Sequence, residues 1–412
     1  MERDIRNVLI ANRGVPAVRL MHTCRDLKIK TTAVYSTPDR IAHHVYMADS
    51  AVHIGDAPPA KSYLNIEKII EAAHKSRVDA IHPGWGFLSE NPQFAQRVMD
   101  EGFVWVGPPP EVIRTLGDKI QAKKMARNAA VPIIPGISPV TDAEDIKNWM
   151  KNENVAYPVI IKAAAGGGGK GMVRVDSEGE LVNAFNQAQS EALKSFGDKR
   201  VMAEKYIEHG RHIEVQIVAD EHGNVVHLFE RECTLQRRHQ KIIEEAPSPS
   251  LDDDLRQEIC FAAVRLMREA GYASAGTVEF IFDAPRRKFY FLEVNTRLQV
   301  EHGITELITG LDIVRMMFDI AVGKRLHVKQ SDIRPNRWAL EVRLNAENPK
   351  NFSPSFGRIT RLLVPQGPAV RIASGVYEGA DIPPYYDSLI MLVITAGVDR
   401  DEVDWGKQTQ ST

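Results

Sequence analysis

The stretch Val159-Ile-Ile-Lys162-Ala-Ala-Ala-Gly166-Gly167-Gly168-Gly169-Lys170-Gly171-Met172-Val-Arg-Val175 decides how the chain is read. A short β-branched strand runs into successive glycines and emerges in a second strand-like segment, Met172–Val175. Four glycines in a row let backbone N–H groups close over phosphate oxygens, and Lys162 and Lys170 add positive charge. Gly166, Gly168 and Gly171 satisfy the spacing G-x-G-x-x-G, but that fingerprint opens a helix, and here a strand follows. Gly171 precedes Met172 rather than Lys-Ser or Lys-Thr, so the other common phosphate loop is absent too. A hairpin lid over a triphosphate fits better than either.

Outward from this loop, the N-terminal side alternates. Strands at Asn7–Ala11, Thr31–Tyr35, Ala80–His82 and Val104–Val106 are interleaved with helices at Ala17–Leu27, Tyr63–Lys75 and Asn91–Glu101. That alternation predicts a doubly wound parallel sheet. Pro108-Pro109-Pro110 marks a boundary, and a helical stretch, Lys119–Ala130, leads to the smaller unit that carries the glycines. From His212 the pattern turns to longer antiparallel strands with a helix at Asp253–Ala270. Arg334-Pro335-Asn336 reads as another joint, with β-rich segments after it. The fold class is therefore α/β at the start and α+β beyond.

Composition narrows the functions. Lys and Arg number 52 against 54 Asp and Glu, a balance that excludes a polybasic nucleic-acid coat or an acidic solvating protein. Cys24, Cys233 and Cys260 are too few and too scattered for a disulfide scaffold or a zinc ribbon, and point to reduced thiols in a cytosolic compartment. Aliphatic runs such as 389–394 are far short of the roughly 20 residues of a spanning helix. The first residues lead straight into a strand, without a signal-peptide core. The expectation is a cytoplasmic enzyme that binds neither membrane nor nucleic acid.

Three further constellations carry chemistry. Thr277–Phe282 and Phe289–Asn295 read as strands joined by a turn, with Glu293 and Asn295 on one face and Glu279 able to face them. Oxygen donors beside a phosphate loop suit Mg²⁺. Gln236-Arg237-Arg238-His239-Gln240-Lys241 concentrates donors, and no aromatic residues interleave as nucleic-acid binding would ask. Such donors suit a small anion such as bicarbonate or phosphate. In Asn295-Thr-Arg297-Leu-Gln299-Val-Glu301-His302 the odd positions are all polar, so four functional groups point one way if the segment is extended. An Arg for an anion beside a Glu for its proton is what carboxyl activation needs. Arg343 sits in a similar alternation, Glu341-Val-Arg343-Leu-Asn345.

Arg237–Lys241, Glu293–His302, His82-Pro-Gly-Trp85-Gly-Phe-Leu-Ser-Glu90-Asn91 and Pro383-Pro-Tyr-Tyr-Asp-Ser388 together resemble biotin carboxylase, over about 7–395. The resemblance implies a pre-ATP-grasp domain over 1–115 and an ATP-grasp domain over 116–335 with a lid at about 131–205. A C-terminal biotin carboxylase domain would follow over 336–412. It implies that ATP meets Lys119, Lys162, the glycines Gly166, Gly167, Gly168 and Gly169, then Glu204, Lys205 and Ile207 at the adenine, and His212, Gln236 and His239. Glu279, Glu293 and Asn295 would hold Mg²⁺ or Mn²⁺. Lys241, Arg297, Gln299 and the Val300 backbone would seat bicarbonate, Glu301 would be the general base, and Arg343 would stabilise the enolate of biotin. No biotinylation motif of the Glu-Ala-Met-Lys-Met type occurs, so biotin would arrive on a separate carrier protein, with the carboxyltransferase elsewhere and a homodimer as the assembly.

Some positions depart from the family's usual pattern: Val15-Pro16 after Asn12-Arg13-Gly14, Trp85 for tyrosine, Gly303 for proline, and Met391-Leu392 for Gly-Lys. The polar tail after Val398, where the family closes with helices and a strand, suggests an incomplete last domain, with Trp405 the only aromatic left to pack. Acetyl-CoA is the default final acceptor, with propionyl-CoA and pyruvate as alternatives. The rival readings are a ligase for another small acceptor and a catalytically impaired paralogue acting as scaffold or regulator.

Overall fold

The computed structural model describes residues 4–164 and 171–403, so Gly166 to Gly169, Lys170 and Trp405 lie outside the described residues. The N-terminal sheet has five strands, all parallel, in the order Ser50–Gly55, Lys30–Ser36, Asn7–Ile10, Ala80–His82, Val104–Trp105. The doubly wound expectation holds. Ser50–Gly55 has no counterpart in the sequence reading because it is a mostly exposed edge strand without a continuous apolar run. Helix boundaries follow local chemistry: Asn91 Oδ1 accepts from Phe94 N at 2.9 Å, capping a helix that opens at Pro92.

The lid is a four-stranded antiparallel sheet, ordered Gly136–Val140, Val201–Lys205, Val159–Ala163, Met172–Val175. Met172–Val175 is a strand, as the reading of the glycine loop requires. The lid has its own core around Ile146, Trp149, Ile161 and Phe185. It is tied to the body where Lys119 N donates to Ala164 O at 3.0 Å.

Eight of the remaining strands form one sheet: Lys288–Asn295, Ser274–Asp283, Gly210–Ala219, Val225–Arg237, Gln240–Ala246, Trp338–Asn345, Leu389–Gly397, Val370–Ser374; Gly357–Arg358 and Asp381–Ile382 pair separately. The joint at Arg334-Pro335-Asn336 therefore divides the chain but not the sheet. Trp338–Asn345 pairs with Gln240–Ala246, Ile243 opposite Val342 and Ala246 opposite Ala339. Arg343 thus stands on the same surface as Lys241 and Glu279.

One buried cation pins this sheet. Arg231, with no exposed side-chain surface, pairs with Glu214 and donates to Gln216 Oε1 at 2.8 Å, Thr305 Oγ1 at 2.9 Å and Thr277 Oγ1 at 3.1 Å. It joins three strands to the helix His302–Thr309. Arg231→Ala is expected to cost about 3 kcal/mol, because Glu214 loses one of its two cations in the interior. Urea and thermal unfolding would show it, and an unchanged midpoint would contradict the role.

Candidate functional site

A cavity of about 860 Å³ lies where the N-terminal domain, lid and large sheet meet. Its walls include Asn12–Pro16 and Trp85–Phe87 from the first, Lys162 and Glu204 from the second, and the acids and cations of the third. Of the expected site residues that are described, all line it except Glu301, which is completely buried beneath its floor.

At one end lysines converge. Asp118 Oδ1 caps the helix Lys119–Asn128, accepting from Ile120 N at 2.9 Å and Gln121 N at 3.1 Å, and so fixes Lys119 as the first helical residue. Lys119 pairs with Glu293. Lys123, four residues on and hence on the same helix face, pairs with Glu204, which also holds Lys162 Nζ at 2.7 Å. Lys123 was not among the expected residues, although its spacing from Lys119 was the available signal. The Glu204 carboxylate is turned to these lysines, and Lys205 Nζ donates to Ala156 O at 2.7 Å. Ile207, Gln236 and the exposed His239 line the same wall.

Next to the lysines lie the acids. Glu279 and Glu293 are direct partners across adjacent strands, as the strand reading expected. Glu279 Oε1 accepts from Asn295 Nδ2 at 2.7 Å and Lys241 Nζ at 3.0 Å, and Oε2 lies 2.6 Å from His212 Nε2. Burial alone would push the Glu279 carboxyl up, but Lys241 and His212 hold it well below the carboxylate range. The same contact raises His212 against the opposing effect of burial. Gln236 Nε2 stands 3.1 Å from His212 Nδ1 and fixes the ring from behind. Glu279 and Glu293 stand opposite each other as hard oxygen donors of the kind Mg²⁺ takes. Asn295 turns its Nδ2 to Glu279 and its Oδ1 to Arg297, so its amide would have to turn to add a third oxygen.

Lys241 is the hub. Its ammonium pairs with Glu214, with Glu279, and with Glu301 Oε1 at 2.8 Å. Arg343 completes the cage, Nε donating to Glu244 Oε1 at 2.7 Å and Nη2 to Glu301 Oε2 at 2.8 Å. Burial opposes ionisation of Glu301, yet Lys241 and Arg343 keep it well below its ordinary value. Arg297 donates to Glu90 Oε2 and to Gln299 Oε1, at 2.8 and 2.9 Å.

One expectation needs correction. The strand ends at Asn295; residues 296–301 turn, and Glu301 immediately precedes the helix His302–Thr309. Thr296 and Leu298 are buried along with Gln299 and Glu301, so no inside–outside alternation exists here. The four polar groups do converge, through a folded loop rather than a period of two. Glu90 holds this loop by accepting from Thr296 N at 3.1 Å as well as from Arg297. Glu90, Glu214 and Glu244 had no assigned role. The signal for Glu214 was its position two residues from His212 on one strand.

Comparison with known proteins fits this geometry. Residues 4–113 match the biotin carboxylase N-terminal domain, 118–329 the ATP-binding domain of the carbamoyl-phosphate synthase L chain, and 341–404 the biotin carboxylase C-terminal domain. Biotin carboxylase 1 of Bacillus subtilis is 48% identical over 399 residues, 97% of this chain and 88% of that one. The chain belongs to the biotin carboxylase family. A pyruvate carboxylase subunit from Methanothermobacter thermautotrophicus, 49% identical over 96% of this chain and 80% of its own, is similar to the same degree. The biotin carboxylase domain dimer of Hydrogenobacter thermophilus 2-oxoglutarate carboxylase, solved with MgADP, ADP and bicarbonate, superposes with a TM-score of 0.94. It is 43% identical over 99% of this chain and 89% of that one. Biotin carboxylases are ATP-dependent ligases. Of the departures from their usual pattern, Val15, Pro16 and Trp85 line the cavity, with the Trp85 ring 5.7 Å from that of His302, whereas Gly303, Met391 and Leu392 are buried away from it.

The cage makes a pH-dependent contribution to stability. Glu279 and Glu301 are depressed in the folded state, so their contribution is present above the unfolded carboxylate value, about 4.3. It is lost as pH falls from there through their folded values. Lys241→Met should therefore lower the melting temperature most at neutral pH, with the gap to wild type closing below about pH 4. A gap independent of pH would mean that Lys241 serves only packing.

Proposed function

We propose that this chain carboxylates biotin on a separate carrier protein, with ATP and bicarbonate as substrates and carboxyphosphate as intermediate. In this reading it works as a cytoplasmic homodimer in an acetyl-CoA carboxylase. Residues 1–115 serve as the pre-ATP-grasp domain, 116–335 as the ATP-grasp unit and 336–412 as the C-terminal part. The observation that carries the reading is the connected cage of Lys241, Glu279, Glu301 and Arg343, with Arg297 and the lysine cluster on the same cavity. Acetyl-CoA is the default acceptor, with propionyl-CoA and pyruvate as alternatives, since relatives named biotin carboxylase, pyruvate carboxylase subunit and propionyl-CoA carboxylase match the chain about equally.

Without substrates, the cations are neutralised by the protein's own acids. Binding is then an exchange of partners. ATP phosphates draw Lys119 from Glu293 and Lys162 from Glu204, while Ile207, Gln236 and His239 border the nucleotide. Glu279, Glu293 and Asn295 would hold Mg²⁺, which neutralises charge on the phosphoryl oxygens when bound. Bicarbonate takes Lys241 and Arg297, with Gln299 and the Val300 backbone completing its seat.

The exchange also explains how a strongly depressed carboxylate becomes a base. Once bicarbonate draws Lys241 away, Glu301 loses the first of the two cations that hold it down, and its proton affinity rises. Glu301 then takes the bicarbonate proton as a bicarbonate oxygen attacks the γ-phosphorus and ADP departs. Carboxyphosphate decomposes to CO₂ and phosphate, and phosphate removes the ureido N–H proton of biotin. Arg343 stabilises the resulting enolate, whose nitrogen attacks CO₂. A closed lid excludes the water that would destroy the intermediate.

ATP hydrolysis measured with and without bicarbonate and free biotin tests the reading. Turnover should depend on both, and Glu301→Gln should lower it by roughly 10²–10⁴-fold. Turnover indifferent to bicarbonate and biotin would overturn the assignment, and nucleotide binding without any turnover would favour an inactive paralogue.

A further inference from the structure

Behind Arg343 lies a pair of acids that the reaction as described does not use. Glu244 and Glu341 are direct partners on adjacent antiparallel strands, so both side chains leave the same face of the sheet. Neither has exposed surface. Glu244 spends one oxygen on Arg343 Nε, at 2.7 Å. Its second oxygen and both oxygens of Glu341 are buried without a hydrogen-bond partner among the described residues.

The surroundings give Glu341 little that would hold a negative charge. Across the sheet its other neighbour is Ile394. Above it runs the backbone of the helix that follows Glu301. A Cβ built on Gly303 would stand 3.4 Å from Glu341 Oε2 and only 2.3 Å from Ile394 Cδ1, so this close cover depends on glycine. The cations within reach are committed elsewhere. Arg231 is occupied by Glu214 and three neutral acceptors, and Arg343 is divided between Glu244 and Glu301. An ionised carboxylate in that position would be uncompensated, and a buried charge in that state takes up a proton instead. Burial first and the neighbouring Glu244 second push Glu341 upward, and burial lifts Glu244 to about 7.

We propose that Glu244 and Glu341 form a buried acid pair sharing one proton, and that this pair positions the Arg343 guanidinium against Glu301. The proton removes the repulsion between the two acids and leaves one negative charge on Glu244, facing Arg343. Glu244 is thus a positioning residue, acting on biotin through Arg343, and Glu341 is the neutral acid that lets it sit there ionised. The proposal rests on the assignment of Arg343 to the biotin half-reaction and would fail separately from it.

Three variants and two readouts test it. Glu341→Gln copies the shape of a protonated acid and should fold and turn over as wild type does. Glu244→Gln removes the charge behind Arg343; carboxybiotin formation should fall roughly 10- to 100-fold while ATP cleavage falls markedly less, so that the two become uncoupled. Glu244→Asp, which keeps the charge but withdraws it from Arg343, should show the same split and covers the case in which Glu244→Gln fails to fold. Infrared difference spectra of wild type against Glu341→Gln at neutral pH should show the C=O stretch of a buried protonated carboxyl, lost in the variant. No such band, or equal losses of ATP cleavage and biotin carboxylation in both Glu244 variants, would overturn the proposal. A wild type that cleaves ATP without regard to biotin would instead sink the functional assignment, with the infrared result still deciding the state of Glu341.

Discussion

A single ammonium group, that of Lys241, is shared by carboxylates from three parts of the chain: Glu214 and Glu279 on neighbouring strands and Glu301 at the start of a helix. Carboxylates this close and this buried repel one another strongly and would be costly without a common cation. Lys241 makes the arrangement tolerable, and Arg231 and Arg343 close it from either side. The continuous eight-stranded sheet is what allows it. Lys241 and Arg343 come from segments a hundred residues apart in sequence that pair as adjacent strands.

The consequence is a site that stores its binding energy as internal ion pairs. Three lysines face Glu204 and Glu293, while Lys241 faces its acids. An incoming anion has to displace a carboxylate rather than water. In the proposed function, a carboxylate displaced in this way would become more basic or free to meet a metal. Substrate binding and activation of the acids would thereby be one process in the proposed reaction.

Much of this was legible in the sequence, and the reasons differ by element. The parallel sheet showed itself through short β-branched runs alternating with helices, except for Ser50–Gly55, whose exposed edge carries no such run. The pairing of Glu279 with Glu293 followed from strand periodicity. The loop from 296 to 301 did not, because burial of Thr296 and Leu298 reflects packing against distant elements rather than a face pattern. Glu244 and Glu341 were invisible for a related reason. Each lies in a strand whose neighbour is set by long-range pairing, and only that pairing turns two ordinary glutamates into a buried acid pair. The joint near Pro335 read as a domain boundary, while the sheet crosses it, since strand pairing leaves no local mark on the linker.

The central claim is that this cage of acids and cations makes bicarbonate a nucleophile toward the γ-phosphate of ATP. The direct test is to run the reaction with bicarbonate labelled in its oxygens and to analyse the inorganic phosphate by mass spectrometry. Attack by bicarbonate oxygen requires that the phosphate released carry one labelled oxygen. Phosphate that acquires its new oxygen only from solvent water would contradict the account.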